Sequence, residues 1–187
     1  MKARKKWRRL QRGLDPARLV FIDESGAKTN MTRLRGRAQR GSRVHAAAPG
    51  GHWRTTTMIS SIRLDGTTAC MTIGGATDTE VFRTYVEAVL CPSLKKGDIV
   101  IMDNLAPHKS ATTLELIGKA GAEARFLPPY SPDLNPIEKM WSKLKASLRK
   151  SEARTVDELD DAIAAALDKV TAKDARGWFA SCGYSFI

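Results

Sequence analysis

The chain has 187 residues, 42% of them hydrophobic, enough for one domain with a real core and too few for two large ones. No apolar run approaches the roughly 18 residues of a membrane span, and the basic N-terminus lacks the apolar stretch of a signal peptide, so a soluble, non-secreted protein without membrane partners is expected. The formal net charge is +11, and its distribution matters more than its size. Residues 1–13 hold seven Lys/Arg and no acid, and residues 28–54 hold another seven and no acid. Of the 31 basic residues, 17 are left for the remainder, against all 20 acids. Two basic segments on a near-neutral body suit a polyanion such as nucleic acid, the plain alternative being a solvated tail. Cys70, Cys91 and Cys182 form no C-x-x-C pair and read as small buried hydrophobes. His45, His52 and His108 are too scattered for a local metal motif.

In chain order, residues 1–16 read as a basic arm or short helix ended by Pro16. Leu19 to Asp23 is a buried strand whose alternation puts Leu19, Phe21 and Asp23 on one face. Residues 28–54, rich in Arg, Gly and Ala, read as an extended loop or β-ribbon. Thr55 to Leu64 and Thr67 to Ile73 are strands joined by a tight turn at Asp65-Gly66. Thr77-Asp78 caps a helix running to about Leu90. Ile99-Val100-Ile101-Met102 forms a short buried strand that Asp103 closes. A helix from Ser110 to Lys119 and a strand from Ala124 to Leu127 follow. Pro128-Pro129-Tyr130-Ser131-Pro132 excludes regular structure, with Tyr130 expected to pack within the turn. Helices then span Pro136 to about Lys150 and roughly Val156 to Val170, with a short tail helix near Ala175 to Ala180. The order predicts an α/β fold, a mixed central sheet with helices on both faces. Residues 17–150 form the central domain and 151–187 a C-terminal helical extension.

Asp23 and Asp103 end neighbouring strands, and Glu138 lies in the first turn of the helix after the last strand. Three acids from distant positions can thus meet at one end of the sheet. Oxygen-only ligands suit Mg²⁺ or Mn²⁺, and two such ions promote phosphodiester chemistry. Each acid also has a plainer reading. Glu24 competes with Asp23, Asp103-Asn104 fits a strand-ending turn, and Asn135-Pro136-Ile137-Glu138 fits an N-cap with a capping-box Glu at N3.

Phe21-Ile22-Asp23-Glu24-Ser25-Gly26, then Met102-Asp103-Asn104 with His108-Lys109, then Pro128-Pro129-Tyr130-Ser131-Pro132-Asp133-Leu134-Asn135-Pro136-Ile137-Glu138 resemble the three catalytic blocks of mariner-superfamily transposases, above all those of bacterial insertion-sequence family 630. The likeness covers about residues 14–150. Between Asp103 and Glu138 lie 34 residues, the spacing the resemblance implies for an Asp-Asp-Glu member. It implies a ribonuclease-H-like fold with a five-stranded sheet. It also implies metal-dependent cleavage at transposon ends and strand transfer into target DNA. Asp23, Asp103 and Glu138 become ligands of two Mg²⁺ or Mn²⁺ ions, with Asn104 and His108 in supporting roles. A homodimer on DNA and a cytoplasmic, nucleoid-associated place in a bacterium go with it. Members usually begin with helix-turn-helix modules, for which there is no room here, so a separate helix-turn-helix chain is one expectation. Two other readings are a non-catalytic DNA-binding remnant and a nuclease without strand transfer.

Two basic features extend the site. Glu138, Ser142, Lys145 and Arg149 follow one another at helical spacing, so Lys145 and Arg149 extend a positive rim along a phosphate backbone, unless the face is merely solvated. Arg33, Arg35, Arg37, Arg40 and Arg43 of the 28–54 insert would supply sequence-independent phosphate contacts or help clamp a second subunit. Trp53 is expected to pack in the core rather than to stack on a base.

Overall fold

In a computed structural model, residues 2–47 and 49–184 are described. The first strand, β1 (Leu19–Lys28), is twice as long as its apolar start foretells. All but its first two residues pair antiparallel with β2 (Thr55–Ile62), from Phe21 opposite Ile62 to Lys28 opposite Thr55. The partner strand supplies hydrogen bonds that a window of hydropathy does not reveal. A tight turn leads from β2 to β3 (Thr68–Gly74). Gly66 there has φ +87°, and a Cβ would lie 2.8 Å from the Thr171 carbonyl carbon, so both conformation and space demand glycine.

β4 (Ile99–Met102) and β5 (Glu123–Phe126) add to the other edge of β1 in parallel. The strand order is β3-β2-β1-β4-β5, the expected mixed five-stranded, ribonuclease-H-like sheet. Parallel neighbours need crossovers, and helices supply them. α2 (Thr79–Tyr85) starts on the Asp78 side chain, which accepts from the Val81 N–H, and runs through a π turn at Val86–Leu90 to Cys91–Ser93. α3 (Ala111–Lys119) joins β4 to β5. Both cover the sheet face that carries Val20, Ile22, Val100 and Met102, burying Phe82, Tyr85, Leu90 and Ile117 against it.

The opposite face carries Leu19, Phe21 and Ile101 and is covered by α4 (Ile137–Ser151), α5 (Val156–Leu167) and α6 (Ala172–Ser181). Met140, Trp141, Leu144 and Leu148 recur at helical spacing and are buried here, each such side chain worth about 1.5–3 kcal/mol of burial. Phe21 meets Phe179 edge to face at 5.2 Å and Tyr184 at 5.0 Å, pinning β1 to the C-terminal helix. α6 is longer than the short tail helix foreseen, because Thr171 and Asp174 close a capping box ahead of it.

The N-terminal basic stretch is a docked helix, α1 (Lys2–Leu10), not a free arm. Trp7 is buried in the core, and its Nε1 donates to the Tyr184 hydroxyl at 2.9 Å. Beyond Lys28, the last residue of β1, the described residues of the basic insert form no strand, and 33–47 are exposed loop. Its base is closed where the Thr29 N–H donates to the Arg54 carbonyl and the Arg54 N–H to Thr29 Oγ1. Arg, Gly and Ala offer too few apolar anchors to bury a ribbon.

Candidate active site

Asp23 is not at the end of β1 but in its middle, opposite Ser60 of β2. The strand-end argument holds for a different reason. β4 pairs with β1 only over Leu19–Phe21, so Asp23 lies just past the point where that parallel partner runs out. Asp103 follows the last residue of β4, and Glu138 is in the first turn of α4. α4 packs on the face that holds Leu19 and Phe21, the same face as Asp23. Asp23, Asp103 and Glu138 therefore line one open cleft of about 470 Å³, with Asn104, the Pro128–Pro132 turn and Asn135.

Each acid is held differently. Asp23 Oδ1 accepts from the Glu24 N–H at 2.8 Å. Burial pushes the Asp23 carboxyl up to about 7, and the charges of Glu138 and Asp103 push the same way. Asp103 Oδ1 accepts from the Leu105 N–H at 2.9 Å and lies 2.6 Å from His108 Nδ1. Burial raises the Asp103 carboxyl, but the His108 and Leu105 contacts outweigh it and hold it below the ordinary carboxylate range. Glu138 makes no side-chain hydrogen bond among the described residues, and the capping box expected of it is not formed: α4 has no side-chain cap. Asn135, the expected cap, is buried with its Oδ1 unpartnered among the described residues. Glu138 is thereby free of the structural duty that competed with a chemical one.

His108 is fully buried, 4.2 Å from the Phe82 ring centroid. Its Nε2 lies 3.5 Å from Glu24 Oε1. Neither ring nitrogen makes a hydrogen bond of good geometry among the described residues. Burial lowers the imidazole's proton affinity, but Asp103 and Glu24 together overcome that and raise it to about 9. Glu24 and Asp23, competitors in the sequence, thus take different places. Asp23 faces the cleft, while Glu24, one residue on, reaches the histidine beneath Asp103. Their opposite strand faces were the signal for this division, but nothing local reveals that His108 lies between two acids. Asn104 Nδ2 donates to the Leu127 carbonyl, tying the end of β4 to the cleft wall after β5.

Two aromatic expectations are corrected. Tyr130 does not pack in the proline turn; it is 99% exposed, with φ 52°. Prolines on both sides of the Tyr-Ser pair restrict the backbone and turn the ring outward. Trp53 is not in the core but 51% exposed, with Lys28 Nζ 5.3 Å over its ring.

Lys145 and Arg149 line a second hollow of about 310 Å³, where Gly26, Lys28, Asn30, Met31, Thr32 and Leu34 meet α4. The start of the insert and the positive rim of α4 thus join. Arg33, Arg35, Arg37, Arg40 and Arg43 are exposed, and none is ion-paired among the described residues.

All-oxygen donors line the cleft. Among the described residues, Asp23 Oδ2, Asp103 Oδ2 and the whole Glu138 carboxylate have no protein hydrogen-bond partner. That set suits a hard divalent cation. The acids are not drawn together tightly enough to form a ready-made cage: no group of three His, Cys, Asp or Glu among the described residues is so placed. Like charges repel until a cation bridges them, and Mg²⁺ characteristically completes its shell with water and substrate phosphate.

Residues 18–160 match the family model described as DDE superfamily endonuclease. The human histone-lysine N-methyltransferase SETMAR is 45% identical over 42 residues, 22% of this chain and 6% of that protein. The Mos1 transposase paired-end complex with left transposon end superposes with a TM-score of 0.73 at 15% identity, over 95% of this chain and 56% of that one. The Mos1 transposase catalytic domain with Raltegravir and Mg gives a TM-score of 0.63 at 14% identity, over 99% of this chain and 96% of that one. The chain thus spans little more than half of the longer Mos1 transposase chain and nearly all of its catalytic domain. With three quarters of its length inside the family match and three acids lining one cleft of the shared fold, the chain belongs to the DDE superfamily endonucleases.

Proposed function

We propose that the chain is the catalytic part of a DNA transposase of the mariner superfamily, of the bacterial insertion-sequence family 630 kind. It cuts phosphodiester bonds at transposon ends and joins the freed 3′ ends to target DNA. The observation that carries this reading is the convergence of Asp23, Asp103 and Glu138 on one open cleft, on a body whose second hollow is lined by Lys28, Lys145 and Arg149 and by no acid. The Mos1 catalytic domain of like fold is described with Mg, and the all-oxygen donor set here fits Mg²⁺ or Mn²⁺. Two such ions, shared among the three acids and the phosphate, would polarise the phosphodiester and favour both the attacking and the leaving oxygen.

The chain's own residues set the geometry. Asp23 is fixed by a strand, Asp103 by His108 and the Leu105 N–H, and Glu138 by a helix start; each presents free carboxylate oxygens to the cleft. Water adds to phosphorus as the P–O3′ bond breaks, leaving a 3′-hydroxyl. That hydroxyl attacks a target phosphodiester and displaces a second 3′-oxygen, so bonds made equal bonds broken. No side chain is required as a nucleophile, and Tyr130 need not be one. The Arg-rich insert and the Lys145–Arg149 rim carry the DNA backbone, and a homodimer on DNA completes the assembly.

The test uses supercoiled plasmid with Mg²⁺ or Mn²⁺. Asp23→Asn, Asp103→Asn and Glu138→Gln, each checked for folding by circular dichroism, are expected to lose nicking and joining together. Undiminished cleavage by Asp103→Ala sinks the assignment. Nicking without joined donor–target products would favour a nuclease.

A further inference from the structure

α1 and the short 3-10 turn Gln11–Gly13 that continues it present two faces of different character. The inner face is Arg4, Trp7 and Gln11, at i, i+3 and i+7. Arg4 makes a forked contact with Asp133, Nη1 to Oδ1 at 2.9 Å and Nη2 to Oδ2 at 2.7 Å. Its Nη1 also donates to Ser131 Oγ at 2.8 Å and to the Tyr130 carbonyl at 3.3 Å. Trp7 donates to the Tyr184 hydroxyl, which donates in turn to the Leu134 carbonyl at 2.9 Å. Gln11 donates to the carbonyls of Cys182 and Gly183. The inner face therefore grips the segment 130–134, whose residues Tyr130, Ser131 and Pro132 form part of one wall of the carboxylate cleft.

The outer face is Lys5, Arg8, Arg9 and Arg12, at i, i+3, i+4 and i+7. These four cations alone line one shallow hollow of about 250 Å³. Among the described residues Lys5, Arg9 and Arg12 have no ion pair, and Arg8 has only the distant one to Asp133 at 3.6 Å. Like charges at i+3 and i+4 repel along a helix. A row of unpaired cations at this spacing matches a phosphate backbone, which relieves that repulsion and releases counterions.

We propose that α1 is a DNA-responsive brace: a DNA backbone seats on Lys5, Arg8, Arg9 and Arg12, and the Arg4–Asp133 contact transmits that seating to the 130–134 wall of the cleft. DNA that fixes α1 fixes the wall, and a loosened wall weakens the hold on α1, since coupling between two sites is reciprocal. The inference rests on the reading that DNA is the substrate.

The test uses the full chain and a short DNA duplex of arbitrary sequence, in metal-free buffer so that no cleavage intrudes. Lys5→Gln, Arg9→Gln and Arg12→Gln combined keep Arg4 and Arg8 in place. They are expected to lower affinity at least tenfold and to flatten the slope of log affinity against log salt by up to about 2.7, at about 0.9 for each phosphate no longer neutralised. Hydrogen exchange of the unaltered chain should show DNA protecting α1 and the amides of 130–134 together. Arg4→Ala should keep DNA protection at α1 and lose it at 130–134. Unchanged affinity and slope in the triple variant overturn the binding face. Protection of 130–134 that is absent in the unaltered chain, or undiminished in Arg4→Ala, overturns the coupling. A chain that binds no DNA in any form overturns the proposed function itself, a different result from one in which only the triple variant matches the unaltered chain.

Discussion

His108 Nδ1 lies 2.6 Å from Asp103 Oδ1, and the ring between them and Glu24 is wholly shielded from solvent. A buried ring touching one oxygen of a cleft carboxylate leaves the other oxygen free. We propose that the histidine is a positioning residue for Asp103. Replacing it by Asn or Ala is expected to raise the Mg²⁺ concentration needed for half-maximal cleavage about 10- to 100-fold, the scale seen when the support behind a metal ligand is removed. Titrating Mg²⁺ against cleavage checks this. A variant that melts earlier but keeps the same Mg²⁺ dependence would show that the ring only fills space.

The sheet and its helices were legible because their residues repeat at the periods of strand and helix. Val20 and Ile22 against Leu19 and Phe21 already assign the two faces, and with them the face of Asp23. Asp103 was legible as the end of an apolar run. Glu138 was not legible locally, because an Asn-Pro-Ile-Glu start satisfies capping rules as well as chemistry. In the fold that cap is unmade and Glu138 lines the cleft. The Glu24–His108 contact, the docking of α1 and the outward Tyr130 depend on which distant segments meet, which no local pattern encodes.

Arg63 and Asp98 form a buried pair at 2.5 Å, with Arg63 Nη2 also donating to the Ser93 carbonyl and Asp98 Oδ2 accepting from the Lys95 N–H at 2.6 Å. The pair joins the end of β2 to the entry of β4. Arg63→Ala strands the Asp98 carboxylate in the interior and is expected to cost about 3–5 kcal/mol. Urea unfolding measures it. A change below about 1 kcal/mol, the range of exposed pairs, would show that water reaches the site.

Acid stability has a local source in α6. Lys143 Nζ lies 2.6 Å from Asp174 Oδ2, and Thr171 donates to the same oxygen through both its hydroxyl and its N–H. Lys143 first, and then Thr171, hold the Asp174 carboxyl down to about 2. An unfolded aspartate titrates near about 3.9. With the folded value depressed, the stabilisation is full above the unfolded value and is lost as pH falls through about 2. Because the pair is partly solvated, the effect is at most about 1 kcal/mol. Asp174→Asn should flatten the acid limb of the unfolding curve in that window. An unchanged limb would place the acid sensitivity elsewhere.

Glu152 ends α4 in the left-handed region, φ 52° and ψ 37°, where its N–H donates to the Leu148 carbonyl. A side chain there is strained by about 1 kcal/mol or more, and glycine is not. The pairing of Glu152 with Arg154, at 3.7 Å, is exposed and contributes little. Glu152→Gly is expected to stabilise the protein by about 0.5–1 kcal/mol, after the flexibility glycine adds to the unfolded chain. Thermal melting should rise by about 2–4 °C per kcal/mol in a chain of this size. A fall would mean that the Arg154 pairing holds the turn after α4.

The insert tests whether exposed charge becomes affinity. Its five arginines, Arg33, Arg35, Arg37, Arg40 and Arg43, stand on a loop whose base is closed by Thr29 and Arg54 and whose start meets Lys145 and Arg149 across a shared hollow. Arg154 Nη1 donates to the Thr29 and Met31 carbonyls, so the start of the loop is tied to the body. A tethered loop can lay its cations along a backbone at little entropic cost to its root. Replacing the five by Gln should weaken DNA binding uniformly across sequences and lower the salt slope by about 0.9 for each phosphate no longer neutralised. Lys145→Gln with Arg149→Gln should do the same on a smaller scale. Because the start of the insert and the Lys145–Arg149 rim border one hollow, combining the two sets should cost less than the sum of the separate effects. Fluorescence anisotropy over a salt series measures all three. Strict additivity would mean that loop and helix hold separate stretches of DNA, and an unchanged slope in the five-residue variant would remove the insert from the interface.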